Sequence, residues 1–468
     1  MPPLDLADAA VRAGVTTRLG ELYAGRPVLV ANGALAAVTG PVRWLRDLGC
    51  PVLVVCTTRG AGEIPGSDDV VVVEIPAPAV ASVTDEMRTH DAVFRRLPTL
   101  ALSAVEAFDP DRRGVWMATP FVTSDRPIAG RPVTAGRPAA WLALEDKLLA
   151  EDIWREAGVP TAPYRIVPVD RDALAVATAE VSGPLGAVWS GDARDGFNGG
   201  GDYVRWVATD EDALAAFAFF APRCDRVRVL PFLEGVPCSI HGVVLPDGTA
   251  AFRPVEIAIL RDPARRTFAY GGLGTFWDPP VADREEMRGI VRRVGDHMAA
   301  AYSYRGAFGI DGVLTADGFR PTELNPRLSS GLTTATDFDR RFVALLQANL
   351  VAGVDTGLGV DDLESLLTLM DAARSGRASL LADGVDVGGA HEFPVTWDGW
   401  TLRRSAHETG DVVAVADTPS GCFAKVVPGG FQRQGDRLAV VDLALVELLD
   451  REYSAGLGPL EMAPDVRC

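Results

Sequence analysis

Short apolar runs alternate with a helix-like stretch in the first part of the chain. Residues 27–31, 51–56 and 70–75 have the length and β-branched content of strands, and a helical pattern up to Leu48 separates the first two. Such alternation predicts a parallel sheet with helices on its faces. The turn after the first strand lacks the glycine spacing of a dinucleotide site. We therefore predict a Rossmann-like amino-terminal domain and treat dinucleotide binding as the lesser alternative.

Repeated proline and glycine residues over 120–138 block regular structure and mark a connection. Residues 140–157 then place apolar side chains at helical spacing and stop at Gly158 and Pro160. The pattern predicts a domain boundary near 139, followed by one helix that carries Lys147.

A glycine-rich segment over 191–201 lies between two β-type runs, at 183–190 and 203–207. Backbone N–H groups of glycines approach phosphate oxygens closely because no side chain intervenes. This pattern predicts a hairpin lid over a phosphate group. The alternative is a surface hairpin that binds nothing.

Further β-type runs at 226–233 and 237–245, with a turn leading into 253–256, predict an antiparallel sheet. Cys238 and His241 stand at odd spacing on one of these strands, so their side chains point to opposite faces. We interpret them as core or pocket lining and not as a catalytic pair.

A predicted helix over 283–302 precedes two strands joined by a turn at 315–318. Asp311 lies on the first strand, and Glu323 and Asn325 lie on the second, where all three can share one face. Two carboxylates and an amide oxygen suit Mg²⁺, with Mn²⁺ as the alternative ion. A solvated hairpin face is the other interpretation. It fits Asp317 better than Asp311, because a charge in an apolar strand needs a partner.

Composition places the chain among globular proteins with ordinary thiols. Its 468 residues, 48% apolar and 23% charged, carry a net charge of −18, which argues against nucleic-acid or anionic-membrane partners. No apolar run approaches the length of a membrane span and no signal-like start is present, so we expect a cytoplasmic protein. The 6 cysteines show no metal or disulfide spacing. Only Lys147 and Lys425 are lysines.

Several of these features occur together in a familiar order: Lys147 in a lead-in helix, the glycine lid, the run Val229-Leu-Pro-Phe-Leu-Glu234-Gly, and Asp311 followed by Glu323-Leu-Asn-Pro-Arg327. In this respect residues 141–350 resemble an ATP-grasp domain. The resemblance implies an α/β and α+β chain with three parts. These are a Rossmann-like pre-ATP-grasp domain at 1–139, a two-lobed ATP-grasp domain with antiparallel sheets at 140–352 and a lid hairpin at about 183–207, and a small α+β domain at 353–468.

The resemblance also implies roles for individual residues. The metal ligands would be Asp311, Glu323 and Asn325, with Arg327 facing the phosphate or the acyl intermediate. ATP contacts would come from Lys147, Ser190, Arg194, Asn198, Gly199, Gly200, Phe232, Leu233 and Glu234. Substrate-side candidates are Arg253, in a catalytic role, together with Glu256, Arg261, Ser329, Ser330 and Gly331.

Two positions depart from the family's pattern. In the family, a second lysine usually ends the strand before the lid, where this chain has Trp189-Ser190. An acid often begins the hinge, which is the run from Val229 to Glu234 in this chain, but Leu230-Pro231 stands there instead. Arg194 and Arg205 are the candidates for the missing cation, and Glu234 is the candidate for a ribose contact.

The resemblance implies an Mg-ATP-dependent ligase that activates a carboxylate as an acyl phosphate and joins it to an amine. Amino-acid or peptide substrates are the expectation, as in amino-acid ligases and pheganomycin-type peptide ligases of small-molecule biosynthesis. The alternatives are a carboxylase-type ATP-grasp enzyme, a non-catalytic nucleotide-binding protein and a Rossmann oxidoreductase. The part after residue 352 is compatible with substrate recognition or with a homodimer, and Lys425 is interpreted as a surface lysine.

Overall fold

A computed structural model of the chain describes residues 3–78, 80–407, 411–427 and 433–467; Cys468 lies outside these ranges. The first part contains a parallel sheet in the order β3-β2-β1-β4-β5. Strands β1 and β2 are buried along their whole length, as expected when helices cover both faces of a sheet. The predicted Rossmann-like domain is confirmed. Its elements are α1 (Ala9–Gly20), β1 (Val28–Ala31), α2 (Thr39–Asp47), β2 (Val52–Cys56), β3 (Val71–Glu74), α3 (Val83–Arg95), α4 (Thr99–Phe108), β4 (Val115–Ala118) and β5 (Val133–Thr134).

The single helix predicted over 140–157 is wrong: two helices, α5 (Ala139–Leu142) and α6 (Lys147–Glu156), are separated by a tight turn. Asp146 has an extended backbone, and its carboxylate accepts a hydrogen bond from the Leu148 N–H at 2.7 Å. An aspartate in this position begins a helix and does not continue one. Lys147 therefore stands at the first turn of α6.

An antiparallel sheet in the order β6-β9-β7-β8 follows, with two helices packed on it. Its elements are β6 (Arg165–Pro168), α7 (Arg171–Val181), β7 (Ala187–Gly191), β8 (Val204–Val207), α8 (Asp210–Phe220) and β9 (Arg226–Pro231). Residues 192–203, between β7 and β8, form the lid.

The remaining strands form one large sheet. The part within the predicted second unit comprises β10 (Val236–Leu245), β11 (Gly248–Ala251), β12 (Val255–Asp262), β13 (Thr267–Gly274), α9 (Val281–Tyr302), β14 (Gly306–Thr315), β15 (Gly318–Asn325), α10 (Ser330–Ala335) and α11 (Arg340–Val351). The rest comprises α12 (Val360–Glu364), α13 (Leu367–Ala372), β16 (Gly376–Asp383), β17 (Ala390–Trp397), β18 (Leu402–Arg404), β19 (Val412–Thr418), β20 (Gly421–Val426), α14 (Leu438–Tyr453) and β21 (Glu461–Met462).

The order in this sheet is β15-β14-β10-β12-β13-β16-β20-β19-β17-β18, with β11 beside β10 and β21 beside β12. Strand β13 pairs with β16, so the strands after residue 352 extend the sheet that carries Asp311 and Glu323. Within the described ranges, no helix has the length and apolar character needed to cross a membrane.

Glu256 fastens α14 to the large sheet. This carboxylate is fully buried on β12 and accepts hydrogen bonds from Arg437 Nε and from the Leu438 N–H, both at 2.7 Å. A carboxylate at a helix N-terminus satisfies backbone donors that the helix itself leaves free. The predicted substrate role of Glu256 is therefore replaced by a structural one.

We expect Glu256→Ala to lower the free energy of unfolding by about 3 kcal/mol, because it removes the buried carboxylate to which Arg437 Nε and the first N–H groups of α14 donate. Denaturant unfolding followed by circular dichroism measures the change. Glu63→Ala is the control, since the Glu63 side chain is 76% exposed and its ion pair is with exposed Arg43. Equal denaturation midpoints for Glu256→Ala and Glu63→Ala would contradict the structural role of Glu256.

Candidate functional site

A cavity of about 490 Å³ opens between the four-stranded sheet and the large sheet, beneath the lid. Its apolar lining comes from both sheets and from the segment between β9 and β10: Val188, Leu230, Phe232, Leu233, Ile257, Ile259 and Phe268. The amino-terminal domain contributes Met87 and Phe121, and β16 contributes Leu381. All three parts of the chain therefore meet at one enclosed space, which is where a ligand site is expected.

Two carboxylates face each other at the polar end of this cavity. Asp311 on β14 lies directly opposite Glu323 on β15, and Asn325 Nδ2 donates to Asp311 Oδ2 at 2.9 Å. Burial and the nearby Glu323 charge raise the pKa of Asp311 to about 6. The residues predicted as metal ligands are thus brought together.

The donor set fits a hard divalent cation. It consists of oxygens, and a cation between the carboxylates would relieve the repulsion that raises the Asp311 pKa. The Asn325 Oδ1 accepts from Arg327 Nη2 at 2.7 Å, so the amide oxygen is engaged by an arginine. Among the described residues, no group of three or more His, Cys, Asp and Glu side chains is arranged to hold a metal. This site has two carboxylates, and its third oxygen donor is the amide of Asn325.

Lys147 reaches the same point from α6. Its Nζ lies 3.1 Å from Glu323 Oε2 and 3.4 Å from the Asn198 carbonyl oxygen, and the side chain is 6% exposed. A buried ammonium at this distance offsets the charge of one carboxylate of the pair.

Arg327 is held in place by a buried carboxylate. Glu145 accepts from Arg327 Nε at 2.6 Å and from Arg137 Nη2 at 2.9 Å. Although burial opposes it, the two guanidinium groups keep the pKa of Glu145 below its usual range. Arg327 also lies 5.2 Å from the centroid of Phe121. The arginine is therefore charged and oriented before any ligand arrives.

Arg228 is a cavity-lining cation that the sequence analysis missed. It stands directly opposite Ser190 on the neighbouring strand, and its side chain is 1% exposed. Its Nη1 donates to Glu151 Oε1 at 2.7 Å and to the Lys147 carbonyl oxygen at 3.1 Å. The sequence did contain a sign of this role, because Arg228 is a charged residue in the otherwise apolar run 227–230.

His241 and Ser239 line the floor of the cavity from β10. Ser239 lies opposite Asp311 and hydrogen-bonds to its carboxylate, and the Ser239 Oγ is 3.1 Å from His241 Nε2. Burial lowers the pKa of His241 to about 3, so the ring is neutral near pH 7. A Cβ on Gly331 would lie 2.2 Å from the His241 ring, which explains the glycine there. Cys238 is fully buried, so both residues are core or lining as interpreted.

The lid is closed over the cavity and tied to α3 of the amino-terminal domain. Arg88 donates to the carbonyl oxygens of Phe197 at 2.8 Å and Gly196 at 3.0 Å, and also to Asn198 Oδ1. Thr84 donates its N–H to Asp202 at 3.0 Å and its hydroxyl to the Gly199 oxygen at 2.9 Å. Gly196 and Gly199 of the lid are thus held by α3, which belongs to the amino-terminal part of the chain.

Most of the other predicted site residues line the cavity: Ser190, Gly199, Gly200, Phe232, Leu233, Arg261, Ser329, Ser330 and Gly331. Asn198 is a buried residue of the lid itself, and its Nδ2 donates to the Asp192 carbonyl oxygen at 2.9 Å. Glu234 lies beside the cavity and pairs with Arg261 at 2.9 Å.

Three predicted residues are held elsewhere. Arg253 is buried between Asp371, at 2.5 Å, and Asp278, at 2.7 Å, so its charge is used in packing and its predicted catalytic role is not supported. Arg194 pairs with Asp195 on the outside of the lid at 3.0 Å. Arg205 lies 3.7 Å from the centroid of Phe219. Neither of the last two lines the cavity.

Similar solved structures exist for almost the whole chain. A carboxyaminoimidazole ribonucleotide synthase from Aspergillus clavatus, complexed with ATP, has a TM-score of 0.52 at 14% identity and covers 91% of this chain and 98% of its own. Pyruvate carboxylase of Rhizobium etli has a TM-score of 0.53 at 13% identity over 94% of this chain and 40% of its own. The chain has the ATP-grasp fold. No protein-family model and no curated protein matches the sequence.

The fold predicted from the resemblance is therefore confirmed. Four further residues line the cavity but were not predicted from the sequence: Met87, Phe121, Ser239 and Tyr270. Their positions depend on contacts between distant parts of the chain, and no local pattern marks them.

We expect Arg88→Ala to loosen the closed lid, because three hydrogen bonds to residues 196–198 are lost. Amide hydrogen exchange of residues 196–199 should become at least about 10-fold faster. Arg96→Ala is the matched control, since Arg96 is exposed at the end of the same helix. Unchanged exchange in the Arg88 variant would show that the lid is held by other contacts.

Proposed function

We propose that this chain is an Mg-ATP-dependent ligase that activates a carboxylate as an acyl phosphate and joins it to an amine. The observation that carries the proposal is the convergence of Asp311, Glu323, Lys147 and Arg327 in one cavity beneath a glycine lid. Opposed carboxylates flanked by oriented cations are the arrangement that phosphoryl transfer requires.

The apolar lining suits the base of ATP, and the polar end with Asp311 and Glu323 suits its phosphates. Val188, Leu230 and Phe232 contribute apolar side chains to this lining. Lys147 and the backbone N–H of Gly200 line this end and would meet phosphate oxygens, whereas the Gly199 N–H already donates to Thr84 Oγ1 at 3.1 Å. Arg228 stands opposite Ser190 and supplies a fixed positive charge in place of the absent second lysine. We assign that substitution to Arg228, in place of Arg194 or Arg205.

Mg²⁺ would be held by Asp311 and Glu323, with Asn325 beside them, and it would neutralise phosphate charge when bound. Arg327, oriented by Glu145, would then stabilise charge on the transferred group. The lid, held by α3, would limit the access of water and so protect an acyl phosphate from hydrolysis. Each of these tasks falls to a residue whose position the fold fixes.

The proposed reaction has two steps. A carboxylate oxygen bonds to the γ-phosphorus of ATP while the bond to the bridging oxygen breaks, and ADP leaves. An amine nitrogen then bonds to the acyl carbon, the bond from that carbon to the phosphate oxygen breaks, and the amine releases a proton. We propose small-molecule carboxylates and amines, amino acids or peptides among them, as the substrates of a cytoplasmic enzyme.

Substrate-dependent ADP release tests the proposal. With Mg-ATP and pools of amino acids, dipeptides and simple carboxylates, Glu323→Ala should lower ADP release at least about 100-fold relative to wild type. Asp317→Ala is the matched control, because Asp317 is exposed in the turn of the same hairpin. ATP binding without release in any pool would favour a non-catalytic nucleotide-binding protein, and release that needs only bicarbonate would favour the carboxylase-type alternative.

Mg²⁺ binding should weaken as the pH falls through about 6, because protonated Asp311 carries no charge to attract the cation. The direction of the effect follows from the raised pKa, because below about pH 6 the Asp311 carboxyl of the metal-free chain is mostly protonated. Titration calorimetry of Mg²⁺ at pH 5 and pH 7.5 measures the effect. In Asp311→Asn the pH dependence over this range should disappear, and a wild-type affinity that is equal at both pH values would contradict the assignment.

A further inference from the structure

Two cations near the cavity have no counter-ion in the part of the chain that the structure describes. The side chains of Lys425 on β20 and Arg377 on β16 make no hydrogen bond or ion pair there, and both are only partly exposed. Lys425, which the sequence analysis interpreted as a surface lysine, is thus only partly exposed. Partly buried charges without partners cost free energy, so their presence calls for an explanation.

The two cations share one face of the large sheet and border the cavity. Lys425 lies directly opposite Ser379, two residues from Arg377 on the same face. Arg377 lies directly opposite Leu273, and Leu381 follows two residues after Ser379. Leu273 and Leu381 both line the cavity. Lys425 and Arg377, called the basic pair below, thus continue the cavity lining along the large sheet.

A loop of the amino-terminal domain covers Lys425. A Cβ on Gly62 would lie 2.8 Å from Lys425 Nζ, and Gly62 has a φ of +108°, which favours glycine. Ala61 packs against Ala414 and Ala416 in the same place. The ammonium therefore lies between two parts of the chain and is only partly exposed.

The surrounding charges do not neutralise the pair. Burial, and next the charge of Arg377, lower the pKa of Lys425, and Glu392 acts on it without forming an ion pair. Burial likewise lowers the pKa of Arg377, whose acidic neighbour Asp337 already pairs with Arg340 at 2.5 Å. Two repelling cations in a partly dry space favour a bound anion.

Tyr270 connects this pair to the reacting end. It lines the cavity, and its hydroxyl lies within range of the charges of Asp311, Arg327 and Arg377. A small molecule that reaches from Arg327 past Tyr270 would meet the basic pair with its far end.

We infer that Lys425 and Arg377 bind an anionic oxygen group, a carboxylate or a phosphate, on the substrate that occupies this end of the cavity. The inference rests on the proposed function, and it adds that one substrate carries a second anionic group away from its reacting atom. Lysine and arginine together suit such a group, the first as a point charge and the second as a two-point donor.

Direct anion binding tests the site without turnover. Inorganic phosphate and malonate are titrated by calorimetry into the full chain saturated with Mg²⁺ and a non-hydrolysable ATP analogue. Lys425→Gln and Arg377→Gln should each weaken binding of the better probe at least about 10-fold. Lys425→Arg should retain most of it, and Arg403→Gln, on exposed β18, should match wild type. Equal affinity in wild type and both glutamine variants, or no binding of either probe to wild type, would overturn the inference.

A folding control separates binding from structure. Because Lys425 has no partner, Lys425→Gln should leave the thermal midpoint of the anion-free protein unchanged or raise it, whereas a structural lysine would lower it. A lowered midpoint would overturn the inference.

Substrate assays distinguish the two kinds of anion. If ADP release is found, amino acids, their primary amides and amines with a phosphate group are compared in wild type and Lys425→Gln. Lys425→Gln should raise KM at least about 10-fold for whichever anionic substrates bind, the amino acids or the amines with a phosphate group. It should leave KM for the primary amides unchanged. If no substrate raises ADP release, the proposed function fails while the anion titration still decides this site.

Discussion

The direct opposition of Asp311 and Glu323 across one hairpin is the constraint on which the rest of the site depends. Two carboxylates at paired positions repel each other, and burial makes the repulsion stronger. Lys147 neutralises one member, and Asn325 ties the other to Arg327. Glu145 then holds Arg327. The charges alternate outward from the pair, so each side chain is oriented by the one before it.

The fold supplies this alternation from separate parts of the chain. The hairpin belongs to the large sheet, Lys147 begins α6, and Glu145 stands in the turn before that helix. The lid joins from the small sheet but is fastened by Arg88 of the Rossmann-like domain. Strand β16 brings its own face to the cavity because it pairs with β13. The same continuity places Lys425 and Arg377 at the cavity margin and makes them available to a ligand.

The sequence could predict what local spacing determines. The hairpin with Asp311 and Glu323, the glycine lid and the parallel sheet each follow from short-range patterns, and the structure contains all of them. Arg253 and Glu256 were misjudged because their partners, Asp371 and Arg437, are far away in the chain. Lys425 looked like a surface residue for the same reason, since the loop at Gly62 that covers it belongs to another domain. Burial of a charge depends on tertiary contacts that periodicity does not encode.

The most direct test of carboxylate activation is oxygen transfer. A carboxylate substrate labelled with ¹⁸O in both oxygens is incubated with Mg-ATP, the amine and the enzyme, and the released phosphate is examined by mass spectrometry. Activation as an acyl phosphate predicts one labelled oxygen in each phosphate formed, in step with ADP. Unlabelled phosphate formed alongside the amide product would mean that the carboxylate never attacked the γ-phosphoryl group, and the proposed chemistry would be wrong.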